Sequence, residues 1–214
     1  MTLQLPAGPF KAYLFDCDGT IADSMPLHYV AWKQALAEWS CDFPEEVFYA
    51  WGGMPAAEIV ATLAAQQGLA IPAQEVAHRK ELLYYELLPQ LQAVPEVMEQ
   101  IDLNWYRQGT RIPMAVVSGS TRDSVTKSLE LLGLLDKFST LVCAGDYTRS
   151  KPDPEPFLVA AARLNVAPAD CLVFEDTDMG VQAATAAGMA SVKILQPWER
   201  SSQSSVVSSQ LPGA

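Results

Sequence analysis

Short unbroken apolar runs alternate with amphipathic stretches along most of this chain. The first run, Tyr13-Leu14-Phe15, stops abruptly at Asp16-Cys17-Asp18-Gly19-Thr20. Runs of similar character recur at Ile112–Ser118, Thr140–Ala144, Cys171–Glu175 and Ala190–Leu195. An apolar run without alternation reads as a strand buried on both faces of a sheet. Between the later runs the apolar positions fall at helical spacing. Arg122–Leu132 carries Val125, Leu129 and Leu132 on one face, Glu155–Leu164 follows, and Met179–Ala187 ends at Gly188. Strand alternating with helix predicts an α/β fold with a doubly wound, Rossmann-like parallel sheet.

The interval between the first two strands is far too long for one crossover, which predicts an insertion from Ser24 to Val94. Its pattern is helical. The first helix places His28, Ala31, Trp32, Ala35, Leu36 and Trp39 on one face. Further helices are expected at Glu45–Ala50, stopping at Gly52-Gly53, at Ala56–Gln67 and at Ala73–Leu88. A helical bundle entered next to a strand end is placed to act as a lid. The expected division is a core of residues 1–23 and 95–200, a helical cap of 24–94 and a tail of 201–214. The serine-rich tail buries too little apolar surface to order itself and is expected to be flexible, pinned at most through Trp198.

Composition narrows the function classes. Half of the 214 residues are apolar, enough for one core and a smaller second unit, and the net charge of −11 argues against nucleic-acid or anionic-membrane partners. No apolar run approaches a membrane span and the N-terminus lacks a signal-peptide pattern, so a cytoplasmic protein is expected. Cys17, Cys41, Cys143 and Cys171 show no C-x-x-C spacing and read as reduced thiols, with zinc binding disfavoured.

Candidate chemistry gathers at the strand ends. Asp16 and Asp18 close the first run, where ligands bind in open α/β sheets, and two carboxylates there suit a hard cation; the bland alternative is an Asp-Gly turn. The second strand ends in Ser118-Gly119-Ser120-Thr121 before a helix. Ser120 with Asp123 resembles a capping box, yet the same small residues also form a phosphate cradle. Lys151 lies in the stiff run Ser150-Lys151-Pro152-Asp153-Pro154, in which Asp153 is suited to cap the next helix. Glu175 and Asp176 close a further buried run, followed by Asp178 at a helix start, where the helix dipole favours acids. In the last cap helix Lys80 falls within the apolar stripe, so it either snorkels outward or points into the cleft, where an anion would meet it. His28 either caps its helix or contacts a substrate.

Taken together, the D-x-D-G-T tip, the small-hydroxyl tip, the rigid lysine and the acidic tip closely resemble the haloacid dehalogenase superfamily of phosphotransferases, over about Lys11 to Leu195. The insert resembles that superfamily's helical cap. The resemblance implies Asp16 as nucleophile, Asp18 as general acid and base, Thr20 around the phosphate, and Ser118 and Lys151 on the phosphoryl oxygens. It implies Mg²⁺ on the Asp16 carboxylate, the Asp18 carbonyl and Asp176, with Glu175 nearby. His28-Tyr29-Val30-Ala31-Trp32 and Val173-Phe174-Glu175-Asp176 resemble the helical-cap group of sugar-phosphate phosphatases and β-phosphoglucomutase-like enzymes. In that group Gly53, Gly119, His28 and Lys80 are candidate substrate contacts. The mutase pattern has a cap arginine after the hinge glycine, whereas this chain reads Gly53-Met54-Pro55-Ala56-Ala57-Glu58. The expectation is a monomeric Mg²⁺-dependent phosphatase of small phosphorylated metabolites, sugar phosphates such as fructose-1-phosphate foremost. A hexose-phosphate mutase and a non-catalytic binding module on the same fold are the alternatives.

Overall fold

A computed structural model describes residues 3–52, 54–105 and 112–196. Five parallel strands, β1 (Ala12–Phe15), β2 (Met114–Val117), β3 (Thr140–Val142), β4 (Cys171–Glu175) and β5 (Ala190–Lys193), form one sheet in the order β3-β2-β1-β4-β5. The chain builds outward from β1 to β3, then crosses to the other side of β1 for β4. This reversal puts the topological switch point between β1 and its neighbours, the crevice where open α/β sheets bind ligands. β2, β3 and β5 are shorter than the apolar runs that contain them, whereas β4 spans its whole run and β1 starts one residue before Tyr13.

The three central strands, β1, β2 and β4, are buried on both faces, as the unbroken runs predict, while the edge strands β3 and β5 are only partly buried. Tyr13, Phe15 and Phe174 face one way, towards Val97, Ile101 and Leu129. Leu14 and Val173 face the other, towards Phe157, Ala160 and Ala183. Phe15 and Phe174 stack with ring centroids 4.5 Å apart, tying β1 to β4 directly beneath the polar tips. Burying such a ring contributes roughly 1.5–3 kcal/mol, so the strand ends are held by the core under them.

The insertion forms α1 (Met25–Ala37), α2 (Glu45–Ala50), α3 (Ala56–Gln67) and α4 (Ala73–Leu87), which share a separate apolar centre of Trp32, Phe43, Phe48, Leu63 and Tyr84. Gly68 ends α3 in the left-handed conformation at φ 66°. The chain leaves and re-enters the sheet through adjacent segments. Asp23 N–H donates to the Gln92 carbonyl at 2.8 Å, and Val94 N–H donates to the Ile21 carbonyl at 2.9 Å. The fold is therefore an α/β core with a small inserted helical cap.

The remaining helices are α5 (Pro95–Trp105), α6 (Arg122–Leu131), α7 (Glu155–Leu164) and α8 (Asp178–Ala186). The sequence reading left α5 unassigned. Only Val97 and Ile101 anchor it fully, while Glu96, Glu99, Gln100 and Asp102 dilute the apolar stripe. All four cysteines are free and buried, as expected of reduced thiols. Among the described residues no helix is long and apolar enough to cross a membrane. The expectations for Gly53, Trp198 and the 201–214 tail fall outside the described residues.

Candidate active site

The end of β1 sets the geometry. Asp16 N–H still pairs with the Phe174 carbonyl, so its side chain is held by the sheet. The chain then turns tightly: Thr20, Ile21 and Ala22 N–H all approach the Cys17 carbonyl, and Gly19 adopts φ 86°. A Cβ at Gly19 would overlap the Asp176 carboxylate, so both the turn and the packing require glycine there. Because of this turn the two aspartates point into different surroundings.

Asp16 meets Lys151, whose Nζ lies 2.6 Å from Asp16 Oδ1, 2.6 Å from Glu175 Oε2 and 3.0 Å from the Val117 carbonyl. Lys151 is positioned by the rigid run before α7, where Asp153 Oδ1 accepts from Glu155 N–H at 2.9 Å; the cap position of α7 is Pro154, one residue later than the expected Asp153. At the end of β4, Glu175 Oε1 accepts from Thr177 N–H and Oγ1 at 3.0 and 2.7 Å. A Cβ at Gly180 would overlap the Glu175 side chain, so helix α8 can seat over the carboxylate only through that glycine. Asp176 Oδ1 accepts from Thr20 Oγ1 at 3.2 Å and Oδ2 from Gln196 Nε2.

Asp16, Glu175 and Asp176 each place a carboxylate oxygen within 4.8 Å of the others, all buried. Burial, then the Glu175 charge, pushes the Asp16 and Asp176 carboxyls well above the ordinary range, although Lys151 pulls both down. The Asp16 and Glu175 carboxylates raise Lys151 far above a free lysine despite its burial. One ammonium among three carboxylates leaves a net deficit of positive charge. An all-oxygen set with that deficit fits a hard divalent cation such as Mg²⁺.

Asp18 lies in different company. Its Oδ1 accepts from Ser24 Oγ at 2.8 Å and from His28 Nε2 at 3.3 Å, and its Oδ2 accepts from Ser120 Oγ at 2.6 Å. Burial pushes this carboxyl up, but the His28, Ser120 and Ser24 donors outweigh it and hold Asp18 far below the usual carboxylate range. His28 stacks on Tyr84 with centroids 3.8 Å apart, and its Nδ1 lies 2.9 Å from Lys80 Nζ. One assignment satisfies both contacts: Lys80 donates to a bare Nδ1, and a protonated Nε2 donates to Asp18. Burial and the Lys80 charge lower His28, consistent with the neutral ring. Burial likewise lowers Lys80, against the charges of Glu81 and Asp18.

Of the two readings for Lys80, outward snorkelling fails: the residue is only 7% exposed, and its ammonium lies 2.9 Å from His28 Nδ1 and 3.5 Å from Glu81 Oε2. His28 does not cap α1. Nor is Ser120 the cap of α6, since Thr121 Oγ1 accepts from Ser124 N–H at 3.3 Å while Ser120 is diverted to Asp18. Ser118 is buried at the β2 tip, and its Oγ accepts from Ser120 N–H at 3.0 Å. Gly119 is exposed, with open space around a notional Cβ, so crowding does not demand glycine there. Sequence reasoning missed Ser24 and Gln196, and it read Ser120 as a cap or part of a phosphate cradle. The two serines are ordinary helix-start residues whose hydroxyls are captured by Asp18 only after folding.

A cavity of about 200 Å³ adjoins Asp176, lined by Met25, Tyr49 and Gly52 from the cap side and by Thr177, Lys193 and Gln196 from the core side. Cap and core also meet where Tyr85 Oη donates to Asp123 Oδ2 at 3.0 Å. Lys127 Nζ sits 3.8 Å from the Tyr85 ring centroid and 2.6 Å from the same carboxylate.

The chain is 33% identical over 186 residues to fructose-1-phosphate phosphatase YqaB of Escherichia coli K12, covering 86% of this chain and 96% of that one. It is 30% identical over 191 residues to β-phosphoglucomutase of Bacillus subtilis 168, covering 87% and 84%. The crystal structure of β-phosphoglucomutase from Clostridium difficile superposes with a TM-score of 0.76 at 25% identity, over 90% of this chain and 87% of that one. The family profile of the haloacid dehalogenase-like hydrolases matches residues 13–194, and with that span matched the chain belongs to this family.

Proposed function

We propose that this chain is a Mg²⁺-dependent phosphatase of small phosphorylated metabolites, sugar phosphates foremost, working through an aspartyl-phosphate on Asp16. The observation that carries the reading is the opposite treatment of two aspartates on one turn. Asp16 shares a lysine and a cation-fitting carboxylate cluster, whereas Asp18 is turned towards hydrogen-bond donors and away from that cluster. The named relatives supply the substrate class, since fructose-1-phosphate phosphatase is among them.

In this reading a carboxylate oxygen of Asp16 attacks phosphorus as the ester P–O bond breaks, and Asp18 gives its proton to the leaving alkoxide. Water then attacks the phosphorus of the aspartyl-phosphate, Asp18 takes its proton, and phosphate leaves with Asp16 restored. Lys151 and Ser118 hold the phosphoryl oxygens, with Thr20 and the Gly119 backbone beside them. Asp16, the Asp18 carbonyl and Asp176, with Glu175 behind, would hold Mg²⁺, which would supply the positive charge that offsets the repulsion between dianion and carboxylate. The cap of residues 24–94 closes over the core of 1–23 and 95–200, bringing His28 and Lys80 to Asp18.

A mutase is the second reading, favoured by the relative named β-phosphoglucomutase. Against it stand Met54-Pro55-Ala56-Ala57-Glu58 where the mutase pattern has its arginine, and a Lys80 ammonium already engaged by His28. The test is a panel of sugar phosphates and nucleotides, with and without a bisphosphate primer. Release of phosphate, lost in Asp16→Asn and in EDTA, supports the phosphatase; primer-dependent isomerisation with little free phosphate rejects it.

A further inference from the structure

We propose that Gln196 is a positioning residue for the metal site, its side-chain amide orienting the Asp176 carboxylate towards the cation. The inference rests on the reading that this carboxylate cluster binds Mg²⁺. Three separate features converge on the contact. First, pairing of β4 with β5 continues past the strand through Ile194 N–H donating to the Glu175 carbonyl at 2.8 Å, which delivers the residue two positions on to the Asp176 side of the tip. Second, Gln196 is buried and its Nε2 donates to Asp176 Oδ2 while Thr20 Oγ1 donates to Oδ1. Third, Gly19 leaves the space for this pair: a Cβ there would meet both the Asp176 carboxylate and Gln196 Nε2.

The chemistry favours an amide at this place. Each Asp176 oxygen has two lone-pair directions, and one donor on each fixes the carboxylate plane while leaving a lone pair on both for a cation. A lysine would fix the plane equally well but cancel charge the cation needs. Asp16 and Glu175 already share Lys151, whereas the side-chain donors to the third carboxylate, Thr20 and Gln196, are neutral. Gln196 and Asp176 both line the adjoining cavity. Partners that orient a metal ligand typically govern about 10–100-fold of metal affinity.

The experiment is Mg²⁺ titration calorimetry on the full chain without substrate, comparing wild type with Gln196→Met, which keeps the side-chain length and deletes the donor. The expected result is a Kd weakened by about tenfold, with the melting temperature of the EDTA-treated protein close to wild type. If Gln196→Met fails to fold, Gln196→Asn, too short to reach Asp176, is titrated in its place. A crystal structure with Mg²⁺ should show the amide nitrogen on Asp176 Oδ2. Binding within twofold of wild type, or an amide turned to put its oxygen on the metal, overturns the proposal. A wild-type chain that binds no Mg²⁺ overturns the metal reading and this proposal with it, so the two failures are told apart by the wild-type titration.

Discussion

Removing the ammonium that Asp16 and Glu175 share should reveal how much charge strain the site carries. Lys151→Met keeps the stem and deletes a cation lying 2.6 Å from Asp16 and from Glu175. Three buried carboxylates then face one another. Breaking a buried ion pair by deleting one partner costs about 3–5 kcal/mol. For a chain of this size about 2–4 °C of melting temperature goes with each kcal/mol, so the midpoint should fall by roughly 6–20 °C. The assay is urea unfolding at neutral pH in EDTA, repeated with Mg²⁺. If the cation occupies this cluster, Mg²⁺ at a hundred times its Kd should return about 2.7 kcal/mol.

The pH dependence gives a second handle on the same perturbation. Burial, then the Glu175 charge, raises Asp16 and Asp176 well above 3.8 in the fold. Between 3.8 and those raised values the folded chain therefore binds more protons than the unfolded one. The corresponding stability is fully present below the unfolded pKa and is lost as pH rises through the folded values. Lys151→Met should stretch that window upward, because the Lys151 charge opposes the shift. Mg²⁺ competes with the same protons and should flatten the slope. A loss below about 1 kcal/mol, or one indifferent to both Mg²⁺ and pH, would refute the reasoning, since deletion from a real buried pair costs more.

The other predictions concern Asp18 and the cap. Asp18→Asn should lose turnover yet bind Mg²⁺ like wild type by calorimetry, because only its backbone carbonyl is assigned to the metal; lost binding would reject the division of roles. Lys80→Ala removes the donor 2.9 Å from His28 Nδ1. It should raise KM for sugar phosphates by tenfold or more while an aryl phosphate, whose leaving group needs little protonation, changes by less than about threefold; equal loss on both counts against a substrate-side role. Tyr85→Phe deletes the hydrogen bond from α4 to α6. Losing it costs about 0.5–1.5 kcal/mol of cap closure, which should appear as a higher KM with a melting temperature near wild type; a lowered melting temperature at constant KM would make the contact merely structural.

The parallel sheet was legible because β1, β2 and β4 are buried on both faces, leaving unbroken apolar runs with no polar position to interrupt them. Their ends were legible for the complementary reason: acids and hydroxyls replace apolar residues where the strand meets the ligand crevice. Helix α5 was not, since two buried aliphatics among acids and amides carry too little periodicity. Lys80 was half legible. Its place in the apolar stripe showed that it had to find a polar partner, but the partner, His28, is 52 residues away and depends on how α1 packs on α4. The capping reading of Ser120 fails for the same reason: a hydroxyl at a helix start caps by default, and only the folded position of Asp18 draws it away, as it also captures Ser24. Gln196 carries no local signal at all, being one amide after an edge strand.

What the sequence could not convey is why Asp16 and Asp18 differ. Extended backbone would put residues two apart on the same side, and both carboxylates would then share one field. The turn centred on the Cys17 carbonyl, with Gly19 at positive φ, ends the extended geometry before Asp18 and sends the two side chains apart. One carboxyl is driven up by burial among like charges, and the other is drawn down by a run of donors leading from Lys80 through His28. Two acids whose surroundings push their pKa values in opposite directions are suited to different tasks. The donors around Asp18 favour its carboxylate, which is the form that takes a proton from water. In the proposed reaction Asp18 must acquire a proton to act first as an acid, and a dianionic ester would supply the means by adding negative charge beside it as it binds. The acid role then belongs to the substrate complex and the base role to the phosphorylated site once the alcohol has left, and pH profiles of kcat/KM and kcat, which report the free and the substrate-bound site, should show different apparent pKa values for the same residue. Identical acid limbs in the two profiles would show that substrate charge does not reach Asp18.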